Sequence, residues 1–174
     1  MKEMIRYACI LAVICCLASG LLAGVNALTK PRILALAYAA QQEALAEVVE
    51  GAADFEPVAS EGDEAAYYKA YDADKNLIGV AFKAEGKGYA GVIETMAGMS
   101  PDGRILAIKV MSQNETPGLG SLVTEEQFRE KFKGRAAVDL AEVEGITGAT
   151  ISSRAVISSV QETAEKVMRL LEHE

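Results

Sequence analysis

Two long apolar patterns frame this chain. From Tyr7 to Leu28 no Asp, Glu, Lys or Arg interrupts the sequence. As a helix that run spans about 33 Å at 1.5 Å per residue, enough for a hydrocarbon layer of ~30 Å. Near the other end, from Ser153 onward, Val156, Ile157, Val160, Ala164, Val167, Met168 and Leu171 fall on one helical face. Gln161, Glu162, Glu165 and Arg169 fill the opposite face, so this helix has one side to bury.

The stretch between them reads in three parts. Leu34, Leu36, Ala37, Ala40, Leu45, Val48 and Val49 keep helical spacing, which predicts a helix over 33–49 that continues the apolar segment after a bend at Pro31. Gly51-Ala52-Ala53 ends it, and the acidic, small-residue run 51–64 reads as a loop. Alternating apolar positions then predict strands over 66–71 and 77–84, joined around Asp72–Asn76, and over 89–97 and 104–112, joined around Ser100-Pro101-Asp102-Gly103. A short helix over 125–133 and an edge strand over 137–143 complete the series. The fold class is therefore α+β: an N-terminal transmembrane helix (1–32 with its flanks) followed by a small antiparallel-sheet domain (33–174) with a C-terminal helix.

Charge and composition narrow what such a domain does. Residues 1–32 carry +3 (Lys2, Arg6, Lys30 and Arg32 against Glu3), so of the net −8 the remainder carries −11. An acidic domain without clustered Lys and Arg excludes nucleic acid as a partner. The three cysteines, Cys9, Cys15 and Cys16, all lie in the apolar segment, so the domain has no disulfide framework and no cysteine metal site. The single histidine, His173, is penultimate and reads as a frayed tail, which removes His-based catalytic triads. Val25-Asn26-Ala27 resembles a signal-peptidase site, but the apolar run exceeds the ~7–15 residues of a signal peptide and reads as a retained anchor. Basic residues flank both ends; Lys2 and Arg6 beside the terminal amine favour a cytoplasmic N-terminus and an extracytoplasmic domain.

Three stretches carry candidate chemistry. Thr147-Gly148-Ala149-Thr150 runs into the last helix with no bulky side chain before Ile151. Small residues and hydroxyls at a helix start suit ordinary capping, and they equally suit an anionic phosphate met by backbone N–H groups. Glu115-Thr116-Pro117-Gly118-Leu119-Gly120 follows a predicted strand and reads as a connecting turn or a binding loop. Gly86-Lys87-Gly88-Tyr89-Ala90-Gly91 lacks the Gly-Lys-Ser/Thr ending and the following helix of a nucleotide phosphate loop, leaving a hairpin entry or a ligand-facing turn. Thr150 has no neighbouring His or other base, so a Ser/Thr hydrolase ranks last.

Together, Gly-Tyr-x-Gly at 88–91, Glu-Thr-Pro-Gly-Leu-Gly at 115–120 and Thr-Gly-Ala-Thr-x-Ser at 147–152, in that order behind one N-terminal membrane helix, resemble the covalent FMN-binding domain. Its members include the G subunit of the Rnf electron-transport complex and the C subunit of the sodium-pumping NADH:quinone oxidoreductase; the short chain is closer to the former. The resemblance implies FMN joined to Thr150 through a phosphoester by a separate Mg²⁺-dependent flavin transferase that uses FAD. It implies that Thr147, Gly148 and Ala149 shape the attachment turn, that Ser152 and Ser153 receive the phosphate, that Thr116, Gly118 and Leu119 approach the isoalloxazine ring, and that Glu115 braces their loop. Glu144 stands where the family pattern has Asp. The implied role is an electron-relay component, not catalytic alone, working with other membrane subunits of an Rnf-type ferredoxin:NAD⁺ ion-translocating complex. The quinone-reductase component is the alternative, and a tethered binding or assembly domain without cofactor is the alternative of another class.

Overall fold

The computed structural model describes residues 2–59 and 65–172; His173 lies outside them. In chain order the elements are α1 (Lys2–Val48), β1 (Asp54–Ala59), β2 (Ala65–Tyr71), β3 (Leu77–Lys87), β4 (Val92–Met99), β5 (Ile105–Ser112), α2 (Glu126–Arg129) and α3 (Thr150–Glu172), with short 3₁₀ turns between β5 and α3. The chain forms two compact units that divide between Ala40 and Gln41.

The first unit is helix alone. α1 runs through Pro31 as one uninterrupted helix, and its apolar stretch is long enough to cross a membrane by length and composition. Its large side chains, among them Leu17, Leu21, Leu28 and Leu36, are exposed along the whole run, which is consistent with a single-pass membrane anchor.

The second unit is a five-stranded antiparallel meander in the order β1-β2-β3-β4-β5, faced by helix on both sides. Strand alternation sends one set of side chains to each face. On one face Val80, Phe82, Ala84, Ile93, Ala97 and Met99 pack under Val156, Val160, Ala164 and Val167 of α3, with Phe128, Phe132 and Leu140 completing the layer. On the other, Ala70, Ala81 and Met96 receive Ala44, Leu45 and Val48 from the last turns of α1 and Val49 just after it. The sheet is thus buried on both sides, which is why its central strands read as nearly continuous apolar runs.

Those last turns of α1 are also held by charge. Lys109 on β5 lies 2.8 Å from Glu47 and 3.1 Å from Glu43, and Arg129 of α2 lies 2.8 Å from Glu47. The bond from Lys109 lowers the Glu47 pKa against the opposing effect of burial, with Arg129 adding to it, and Glu47 in turn raises that of Lys109. A lowered carboxylate contributes stability above its unfolded-state value, lost as pH falls through the folded value; a raised lysine contributes below its unfolded-state value, lost as pH rises through the folded one. Thermal melts of the full chain should therefore hold a plateau between about pH 5 and pH 10 and fall on either side, and Glu47→Gln should flatten the acid limb.

Three expectations are corrected. Residues 51–64 are not all loop: Asp54–Ala59 form β1 and pair with β2. Pro57 lies within β1, opposite Tyr68, because an edge strand tolerates a residue without an N–H. The predicted edge strand over 137–143 is a 3₁₀ helix, Ala137–Glu142. Its buried residues Ala137 and Leu140, with Val143 just beyond its end, recur every third position, the 3₁₀ period rather than the strand period. The last helix begins at Thr150, three residues before its apolar face does, and this places the Thr147–Thr150 motif on the helix start itself.

One close approach seats that helix. A Cβ at Gly86 of β3 would run into the backbone carbonyl of Ala155 on α3. Gly86→Ala must push α3 off the sheet, and we expect a loss of about 1–3 kcal/mol in unfolding measurements on the full chain.

Candidate functional site

Two glycine turns face each other beside the first turn of α3. Thr116 C=O accepts from Leu119 N–H at 3.1 Å, with Pro117 and Gly118 at the centre of the turn. Ile146 C=O accepts from Ala149 N–H at 3.0 Å, with Thr147 and Gly148 between them. Gly118 has φ +74 and Gly148 φ +85, the value a type II turn requires at its third residue and the reason glycine stands there. The turns are neighbours: the Leu119 side chain lies 3.9 Å from where a Gly148 Cβ would sit.

The space between them is a cleft of about 540 Å³, within the range of small-molecule sites. Thr116, Leu119 and Gly120 line one wall, Gly148 to Ser152 the other, and Tyr89 closes a third side. Leu119, Ile151 and Tyr89 are all exposed, so a bound group would find apolar surface on several sides. Thr150 is exposed and is the first residue of α3, so its hydroxyl is accessible at the cleft.

Beneath the cleft lies a buried carboxylate. Glu115 is 5 % exposed, yet it lines the site. Its Oε2 accepts from Ser152 Oγ at 2.5 Å and its Oε1 from Ala90 N–H at 2.9 Å. Burial pushes its pKa up, but the Ser152 hydroxyl and the amides of Ala90, Tyr89 and Gly91 outweigh that and hold it below the ordinary glutamate value. Two glycines close around the same group. A Cβ at Gly88 would stand 2.5 Å from Oε1, and one at Gly120 would meet Oε2 and Ser152 Oγ. The three sequence motifs are therefore parts of one object, a carboxylate caged by Gly88, Gly120 and Ser152.

The structure brings Glu115, Thr116, Leu119, Gly148, Ala149, Thr150 and Ser152 to the cleft. Gly118 shapes the turn without lining it, and Thr147 faces a separate groove with Lys131 and Glu144. The hydroxyls of Ser152 and Ser153 are committed inward. Ser152 bonds Glu115, whereas Ser153 donates to Ala149 C=O at 2.9 Å and accepts from Ile146 N–H at 3.2 Å. What the helix start offers an anion is backbone: the N–H groups of Thr150, Ile151 and Ser152 have no acceptor within the helix, whereas that of Ser153 donates to Ala149 C=O at 2.9 Å. Sequence reasoning did not select Tyr89, Gly120 and Ile151 as site residues; the glycine density at 86–91 and the break in small residues at Ile151 were the available signals. Among the described residues no His, Cys, Asp or Glu cluster could hold a metal ion.

The lining from Tyr89 to Ser152 falls inside residues 88–165, which match the FMN-binding domain family, while residues 1–48 match the RnfG N-terminal region. The chain is 35 % identical to the G subunit of the ion-translocating oxidoreductase complex of Methanosarcina acetivorans, over 95 % of both chains. It is 32 % identical to the G subunit of the proton-translocating ferredoxin:NAD(+) oxidoreductase complex of Clostridium ljungdahlii, over 90 % of this chain and 88 % of that one. It is 33 % identical to the G subunit of the Na(+)-translocating ferredoxin:NAD(+) oxidoreductase complex of Acetobacterium woodii, over 91 % and 89 %. The crystal structure of Shewanella oneidensis NqrC shares the fold, with a TM-score of 0.52 and 20 % identity over 69 % of this chain and 72 % of that one. With its own N-terminal region and its flavin-binding domain both matched, the chain belongs to the RnfG family of ion-translocating oxidoreductase complexes.

Proposed function

We propose that this chain is the membrane-anchored flavoprotein relay component of an Rnf-type ferredoxin:NAD⁺ complex and carries FMN covalently on Thr150. The observation that carries the reading is an exposed hydroxyl on the first residue of a helix, beside a partly apolar cleft. The residues fit the group. Gly148 leaves its wall open, Leu119, Ile151 and Tyr89 suit a flat ring system, and the α3 start suits a phosphate. Bound FMN would supply the redox chemistry, and the protein binding, orientation and electrostatics.

Thr150 is a recipient rather than a nucleophile of its own making. Among the described residues, none that lines the cleft with it is a His or Lys, and Glu115 is bonded elsewhere. Attachment thus needs a flavin transferase: the Thr150 oxygen bonds to the FMN phosphorus of FAD, the pyrophosphate bond breaks, AMP leaves, and the hydroxyl proton passes to the transferase. This supports a domain on the extracytoplasmic side, where such a transferase works, with the 1–32 segment as its anchor. Two of the relatives name different ions, H⁺ and Na⁺, so the ion belongs to the assembled complex rather than to this chain's fold.

Expressed with the transferase, the full chain should gain the mass of one FMN less one water. Unmodified protein under those conditions overturns the flavin reading in favour of a cofactor-free tethered domain. Reduction of NAD⁺ that depends on ferredoxin, by membranes containing the chain, separates the Rnf reading from a quinone-reductase one.

A further inference from the structure

The charge around the cleft is one-sided. Among the described residues, Glu115 is the only one lining the cleft that carries a formal charge near neutral pH, and no Lys or Arg lines the site. Its bonding partners, the Ser152 hydroxyl and the Ala90 amide, are neutral, so they hold the charge without cancelling it. Burial in a low-dielectric setting lengthens the reach of that charge. Gly88, Gly120 and Ser152 crowd the carboxylate, which fixes it in place.

On the reading that FMN sits on Thr150 in this cleft, we infer that Glu115 sets the flavin's reduction potential. Its fixed negative charge disfavours the negative charge that reduction adds and keeps the potential low. The α3 N-terminus is no counterweight there, because the phosphate's own charge engages it. Glu115 thus has an electrical role besides bracing the 115–120 loop, and the loop and the charge are separable by mutation.

The test uses the full chain, expressed with the transferase and solubilised in detergent, as wild type, Glu115→Gln and Ser152→Ala. Glu115→Gln removes the charge and keeps the shape, since an amide still accepts from Ala90 N–H and reaches Ser152. Ser152→Ala loosens the same contact and keeps the charge. Intact mass first measures FMN content, and a redox titration followed by flavin absorbance then gives the potential of the flavinylated fraction alone. We expect Glu115→Gln to favour the reduced form by about ten-fold or more, ~30 mV for a two-electron couple. Ser152→Ala should stay closer to wild type than Glu115→Gln does. Equal or lower potential in Glu115→Gln, or an equal rise in Ser152→Ala, overturns the inference. Wild type without FMN removes the flavin reading and this inference with it, whereas flavinylated proteins of equal potential remove this inference alone.

Discussion

Glu115→Ala should lower the stability of the domain by about 2–4 kcal/mol, the largest loss expected of any single cleft substitution. The change leaves the buried Ser152 hydroxyl and the part-buried Ala90 N–H without their acceptor. Hydrogen bonds to a charged group are worth about 1.5–3 kcal/mol each, and an orphaned buried donor adds its own desolvation cost. The void lies between Gly88 and Gly120, neither of which has a side chain to fill it. Thermal unfolding of the full chain, followed by circular dichroism, reads the loss. Glu115→Gln, which keeps both contacts in neutral form, should lose clearly less. Equal melting temperatures for Glu115→Ala and wild type would contradict the caged-carboxylate account. Because the Glu115 pKa is lowered in the folded state, its contribution is present above the ordinary glutamate value of about 4.3 and fades as pH falls through the folded value. The gap between wild type and Glu115→Ala should accordingly shrink in acid.

Thr150→Ala should abolish FMN attachment and leave the fold intact. Thr150 is exposed, and its backbone already has helical geometry as the first residue of α3. Loss of an exposed hydroxyl there costs about 0.5 kcal/mol or less. Flavin content and stability therefore separate: the Thr150 variant loses the first and keeps the second, whereas Glu115→Ala loses stability first. Thr150→Ser, with its hydroxyl retained, is expected to restore attachment. Circular dichroism and flavin fluorescence of the denatured full chain read the two properties independently. Retention of covalent flavin in Thr150→Ala would point to a different acceptor, Thr147 being the other exposed hydroxyl of the motif.

Much of the fold was legible because burial leaves periodic marks. β2 to β5 announce themselves as short apolar runs bounded by turn residues, and α3 by its Val156–Val160–Ala164–Val167 stripe. β1 was hidden because an edge strand with Pro57 and acidic neighbours carries little apolar signal. Ala137–Glu142 misled because the sequence does not show which of its apolar residues are buried, and only burial reveals the spacing of three at Ala137, Leu140 and Val143. The site was legible as separate motifs and as a family resemblance, but not as geometry. Gly88 meets Glu115 because β3 and β4 turn at Gly88–Gly91, and Ser152 meets it because Gly86 lets α3 sit close to the sheet. Those contacts come from sheet register and helix packing, which no local pattern encodes. The same is true of Ser152 and Ser153, whose hydroxyls look free in the sequence and are bound inward in the fold.

The central claim is that Thr150 is the attachment point, and peptide mapping tests it most directly. The full wild-type chain, expressed with the flavin transferase, is digested, and the peptide spanning Ile146–Arg154 is fragmented. The account predicts one FMN, joined through phosphate, on Thr150 and on no other residue of that peptide. FMN on Thr147, Ser152 or Ser153, or no FMN anywhere in the chain, would contradict it.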